Sequence, residues 1–99
     1  MKKTNFYGNI TGEQIKLMET LQEGKNSVAI KLIEQGVDPN FTTENILAYS
    51  PLYVAAQNDN IKMLRYLITV CKVPFDKDLV YYLSMRGNYS AAMYLSKHL

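Results

Sequence analysis

The feature that most constrains this chain is a polar break inside an apolar run. From Ser50 to Ile68 it reads Ser-Pro-Leu-Tyr-Val-Ala-Ala-Gln-Asn-Asp-Asn-Ile-Lys-Met-Leu-Arg-Tyr-Leu-Ile. Pro51 has no backbone donor, so it suits a first helical position, with Ser50 before it as N-cap. Leu52, Ala55 and Ala56 then fall on one helical face. Asn58, Asp59 and Asn60 follow, residue types that tolerate a left-handed backbone. Ile61, Met63, Leu64, Leu67 and Ile68 resume the apolar pattern at helical spacing. The stretch predicts a short helix, a tight turn and a second, antiparallel helix. Small side chains at Ala55 and Ala56 let neighbouring helices approach closely.

The same pattern occurs before and after. Thr11 or Gly12 can open a helix with Ile15, Leu17, Met18 and Leu21 apolar. Gly24-Lys25-Asn26 is a turn, and Val28, Ala29, Ile30, Leu32 and Ile33 form a second apolar face that Gly36 ends. Near the C-terminus, Asp76 or Asp78 reads as an N-cap ahead of Leu79, Val80, Tyr82 and Leu83. Arg86-Gly87-Asn88 is a third turn, and Ala91, Ala92, Tyr94 and Leu95 follow in register. Leu32 and Leu67 are 35 positions apart, and Leu67 and Leu95 are 28 apart. The turns keep the same offsets, Gly24 to Asp59 and Asp59 to Gly87. Stacked repeats share a core only with neighbours, and about three are needed for stability. The first and last pairs are therefore expected to carry a polar outer face.

Ser50-Pro51-Leu52-Tyr53-Val54-Ala55-Ala56 resembles the Thr-Pro-Leu-His-x-Ala signature of the ankyrin repeat, a β-turn and two helices recurring about every 33 residues. Serine replaces the threonine, and Tyr53 replaces the histidine that in the family helps tie adjacent repeats. Gln35-Gly36-Val37-Asp38-Pro39-Asn40 resembles the family's loop after its second helix, commonly Gly-Ala-Asp-x-Asn. Val73-Pro74-Phe75-Asp76 stands where Val37 to Asn40 stood, but leads at once into a helix. The resemblance implies an all-α, ankyrin-like stack of three helix-turn-helix pairs. It implies one β-hairpin-like finger, over Asn40 to Tyr49, with the second finger missing. Residues 1–11 would be an N-terminal lead and residues 12–99 a single domain, with repeats at about 12–40, 41–75 and 76–99.

In ankyrin-like stacks, partners meet the finger tips and the concave face made by the first helices. By register, the resemblance carries those roles to Ile46, Leu47, Tyr49, Gln57 and Asn58 in the central repeat. It carries them to Gln22 and Glu23 in the first repeat and to Met85 and Arg86 in the third. An exposed apolar cluster such as Ile46, Leu47 and Tyr49 usually marks a partner site. The alternative is that Ile46 and Leu47 fold back on the first repeat, or that the finger pairs with itself.

Chemistry has little to work with. Cys71, the only cysteine, excludes an internal disulfide, and with a single histidine, His98, it leaves no four-ligand zinc set. Cys71 follows an apolar helix and reads as a small hydrophobe rather than a nucleophile. His98 stands beside the last residue, where a general base is poorly held. Gly24-Lys25 lacks the glycine and hydroxyl residue of a phosphate loop. The expectation is therefore no enzyme, no metal and no cofactor. A net charge of +2 gives only weak attraction to nucleic acid or anionic lipid. Tyr81, Tyr82, Arg86 and Tyr89 come closest to a stacking platform for bases.

No apolar leader and no membrane-length run is present, which places the expected location in the cytoplasm. The expected role is a protein-protein interaction module, a stand-alone inhibitor or adaptor. Lysine and asparagine richness suits an AT-rich bacterial, phage or viral genome. Two other readings are a self-associating structural protein and a nucleic-acid-binding accessory protein, the small net charge arguing against the second. Met93, Tyr94, Leu95 and Leu99 leave open a homodimer through the C-terminal helix. In the competing arrangement those residues pack inward and Ser90, Ser96 and Lys97 face water.

Overall fold

The computed structural model describes residues 11–41 and 50–99. Of the expected lead, residues 1–11, only Thr11 is described, and of the expected finger, Asn40 to Tyr49, only Asn40 and Phe41 are; the rest of both lies outside the described residues. Within them the fold is all-α, six helices in three hairpins, with no strand among the described residues.

The first hairpin is α1 (Gly12–Gln22) and α2 (Asn26–Glu34). The Thr11 hydroxyl accepts from the Gln14 N–H, and the Thr11 N–H donates to the Gln14 side chain, both at 3.0 Å. This reciprocal capping box fixes where α1 starts. The Gln14 amide also donates to the Asp38 carbonyl at 2.9 Å, holding the loop after α2 against the start of α1.

The central hairpin is α3 (Pro51–Gln57) and α4 (Ile61–Arg65), the latter continuing as a wide turn of π-helix over Tyr66–Val70. Ser50 caps α3 through its hydroxyl, which accepts from the Tyr53 N–H at 3.2 Å, and Pro51 occupies the first turn. The last hairpin is α5 (Lys77–Arg86) and α6 (Tyr89–Ser96). Of the two candidate caps for α5, Asp76 is the one used; its carboxylate accepts from the Asp78 N–H at 3.1 Å.

The three inter-helix turns share one backbone pattern. Gly24, Asp59 and Gly87 all have positive φ, at 75°, 53° and 90°. In each turn the next N–H reaches back to a carbonyl five residues earlier, all at 2.9 Å: Lys25 to Thr20, Asn60 to Ala55 and Asn88 to Leu83. This is a Schellman closure, which satisfies carbonyls the helix end would otherwise orphan. Glycine enters the left-handed region at no steric cost, and aspartate is among the few other residues that do so readily.

The stack is widest in its core at the centre. Residues Pro51 to Ala56 are all buried, because α3 packs between α1 and α5. Leu17, Leu21, Leu64, Leu67, Leu83 and Leu95 are fully buried around it. Leu32, the counterpart of Leu67 and Leu95, is only half-buried.

The π turn has a countable cause. From Leu32 to Leu67 the offset is 35, but from Val37 to Val73 it is 36, so the central hairpin has one extra residue after Leu67. The Val37 N–H donates to the Leu32 carbonyl at 3.1 Å, and the Val73 N–H donates to the Leu67 carbonyl at 3.0 Å. Both ends close on the same carbonyl, and the additional residue is absorbed by widening the helix. Single π turns are the usual way a helix takes an insertion without losing its flanking packing.

Candidate functional site

Stacking gives each helix position a direction. Asn58 and Asn88, both in turns, donate backwards to the preceding hairpin: Asn58 Nδ2 to the Leu21 carbonyl at 3.2 Å and Asn88 Nδ2 to the Gln57 carbonyl at 3.0 Å. Asn26 and Asn60 exchange two side-chain hydrogen bonds, at 2.7 and 3.2 Å. Asp59 reaches forward, its carboxylate accepting from the Ala91 N–H at 3.3 Å. These bonds form a ladder along one edge, stapling each turn to the next. A partly buried bond of this kind contributes about 1 kcal/mol net. The Asn88 side-chain oxygen is buried with no partner among the described residues, whereas that of Asn60, its counterpart, also caps the Met63 N–H.

Beside the ladder lies a second link between hairpins. Tyr53 is buried, and its ring centroid stands 5.8 Å from that of Tyr82 on α5. The Arg86 guanidinium lies 5.9 Å over the same Tyr82 ring. Hydrogen bonding to Tyr53, then to Arg86, holds the Tyr82 phenol below the usual tyrosine value. An exposed cation over a ring is worth about 0.5–1 kcal/mol. The arrangement orients Arg86 as much as it stabilises the fold.

Residues 48–77 match the family model for the ankyrin repeat. This stretch is an ankyrin repeat. The match covers all of α3 and α4 and ends where α5 begins, so it coincides with the hairpin that is buried on both sides. Neither the curated proteins nor the solved structures give a match. In this ankyrin repeat the signature's histidine position holds Tyr53, and the contact to the following hairpin is made by its aromatic ring on Tyr82.

The expected contact residues fall into three groups. Gln22, Glu23, Asn58, Met85 and Arg86 are exposed and Gln57 is half-buried, all at or just past the C-terminal ends of α1, α3 and α5. They form a row because the three hairpins are in register. Asn58 and Gln57 also serve the stack, Asn58 by its amide and Gln57 by its carbonyl. Glu23 pairs with Lys25 at 3.2 Å, an exposed and therefore weak ion pair. Ile46, Leu47 and Tyr49 lie outside the described residues. Among the described residues, the two ends of that segment border a hollow of about 430 Å³, whose apolar lining includes Phe41, Leu52, Val73, Phe75 and Leu79.

Other expectations take definite positions. Tyr81, Tyr82 and Tyr89 are all exposed. Tyr82 touches Tyr53, whereas Tyr89 borders a different hollow with Ile61, Met93 and Lys97. In α6, Leu95 is fully buried and Tyr94 half-buried, while Met93 and Leu99 are exposed along with Ser90, Ser96 and Lys97. Burial raises the Cys71 thiol above its ordinary value, and the Asp38 charge adds to this. No cluster of metal-ligating residues occurs among the described residues, and no described helix is long and apolar enough to cross a membrane.

By type and position the asparagines read as turn formers and contact residues, and the ladder they build is not evident from that pattern. One signal was present: Asn60 and Asn88 each follow directly on a left-handed residue, 28 positions apart.

Proposed function

We propose that this chain binds a partner protein through its finger and the row of first-helix ends, acting as a stand-alone inhibitor or adaptor. Ankyrin repeats in general mediate protein-protein contacts and are typically non-catalytic. The observation that carries the reading is the row itself. Gln22–Glu23, Gln57–Asn58 and Met85–Arg86 occupy equivalent places on three hairpins whose turns are hydrogen-bonded to one another. A surface already held in one arrangement loses little freedom on binding, so more of each contact appears as affinity. Arg86, oriented over Tyr82, is of a residue type favoured at binding hot spots. The finger supplies Ile46, Leu47 and Tyr49 as apolar anchors at the same repeat.

The test is capture of a protein from cell extract by the immobilised chain, with Ile46→Asp, Tyr49→Ala and Arg86→Ala in parallel. The expected result is one recurrent partner, lost with the finger variants and weakened by Arg86→Ala, while the thermal melts stay nearly unchanged. Retention on nucleic acid that falls steeply with salt, and no protein partner, would overturn it.

A further inference from the structure

The small net charge of +2 hides a division along the chain. From Asn60 to Phe75 stand Lys62, Arg65 and Lys72 and no acid. From Tyr89 to Lys97, over α6, stands Lys97 and again no acid. The first helices, by contrast, mix signs: Glu13, Lys16 and Glu19 in α1, Lys77, Asp78 and Arg86 in α5. In α2, Lys31 and Glu34 offset each other. The outer layer over α4 and α6 therefore carries these four cations, all exposed, and no carboxylate of its own.

This layer is open because of how the hairpins stack. The central hairpin has one on each side, yet its Lys62, Arg65, Thr69 and Val70 are exposed. At an offset of 28, Ser90, Met93 and Lys97 repeat the positions of Lys62, Arg65 and Thr69, and they are exposed too. With Tyr89 and Tyr94 they border a hollow of about 270 Å³ against Ile61 of α4, which lies between the second and third hairpins. Lys72 adds an independent mark. Its φ is 58° where the first hairpin has Gly36 at 111°, each residue preceding the valine that closes its helix. A lysine in the left-handed region carries a backbone cost that glycine does not, and such strain gathers where a side chain is used.

We propose that this face docks on the anionic surface of a lipid bilayer. Lys62, Arg65, Lys72 and Lys97 supply the charge complementarity, each cation near a negative surface adding to a common attraction. The apolar part of the face is what selects a bilayer over another polyanion. Val70 stands two residues before Lys72, and Met93 one helical turn before Lys97; they are 61% and 63% exposed, and Tyr89 is 68% exposed. A nucleic-acid backbone offers nothing to valine or methionine, whereas the headgroup region takes both and favours tyrosine. Lysine and arginine stems lie along apolar surface while their heads reach the phosphates. The row of first-helix ends belongs to the other layer, so this inference does not rest on partner capture.

Co-sedimentation of the chain with vesicles tests this, using phosphatidylcholine alone and phosphatidylcholine with about one part in three of phosphatidylserine. The expected result is binding to the mixed vesicles only, lost as salt rises from about 0.05 M to about 0.5 M. Lys62→Gln, Arg65→Gln and Lys97→Gln should each weaken it about fivefold. Lys16→Gln, the same loss of charge in α1, should leave it unchanged. Met93→Ser should weaken it about twofold at constant charge. Lys72→Gly separates use from stability: binding falls about fivefold while the melting temperature holds or rises, because the strain is removed. Equal binding to both vesicles, or to neither, overturns the inference. So does an equal loss with Lys16→Gln and Arg65→Gln, and so does retention on polyuridine with none on the mixed vesicles.

Discussion

The central hairpin and the last one share a backbone pattern, down to 2.9 Å closures at Asn60 and Asn88, yet they live in different surroundings. In the centre, α3 is covered on both sides and every residue from Pro51 to Ala56 is buried. At the end, α5 is covered on one side and buries only Leu83, leaving Tyr81, Tyr82 and Met85 in water. The family match, residues 48–77, spans about one repeat and so ends as α5 begins. A position pressed from two sides tolerates few side chains; a position pressed from one side is freer. The interior helix has little surface left to offer, while the turns and the last hairpin have much.

Truncating the equivalent leucines should break the comparison most sharply if it is wrong. Leu67→Ala should destabilise by roughly 3–5 kcal/mol in urea titration, Leu95→Ala by about 2–3 and the half-buried Leu32→Ala by about 1. A loss at Leu32 as large as those at the fully buried Leu67 and Leu95 would mean that burial does not set the cost. Next in size are the turns. Gly87→Ala and Gly24→Ala force a Cβ into the left-handed region and should each lower stability by about 1–2 kcal/mol. Asp59→Gly should come out near neutral, since it relieves backbone strain but removes the bond from Ala91.

The ladder predicts smaller losses, about 1 kcal/mol each for Asn58→Ala and Asn88→Ala. Asn60→Ala should exceed both, because Asn60 pairs with Asn26 and also caps Met63. Amide exchange should quicken at the two turns joined by the missing bond, and a uniform increase over the whole chain would contradict the ladder. Deleting the exposed Val70 should restore the spacing of the first hairpin, convert the π turn to ordinary helix and change stability by less than about 1 kcal/mol.

The smallest effect concerns Cys71, half-buried where its counterpart Leu99 is exposed. Its raised thiol value means the folded state favours the neutral form. That contribution is full below the unfolded thiol's value and is lost as pH rises through the folded one. A thiol reagent at mildly alkaline pH should therefore modify the native chain more slowly than the urea-unfolded chain. Equal rates would place Cys71 in open solvent.

Local chemistry was legible without coordinates. Ser50 before Pro51, Thr11 before Gly12, and Gly24, Asp59 and Gly87 at offsets of 35 and 28 announce helix starts and left-handed stops, because caps and positive φ depend on a residue and its near neighbours. Three hairpins in register followed from that, and with them the row that holds Gln22, Asn58 and Arg86. Other features depend on distant contacts. No spacing rule says that Asn58 reaches Leu21, that Tyr53 meets the Tyr82 ring, or that Tyr81 has no hairpin over it while Met18 does. Nor does the helical period reveal whether one extra residue after Leu67 ends α4 or widens it. Packing against both neighbours fixes Leu67 and Val73, and the backbone between them must take up the difference.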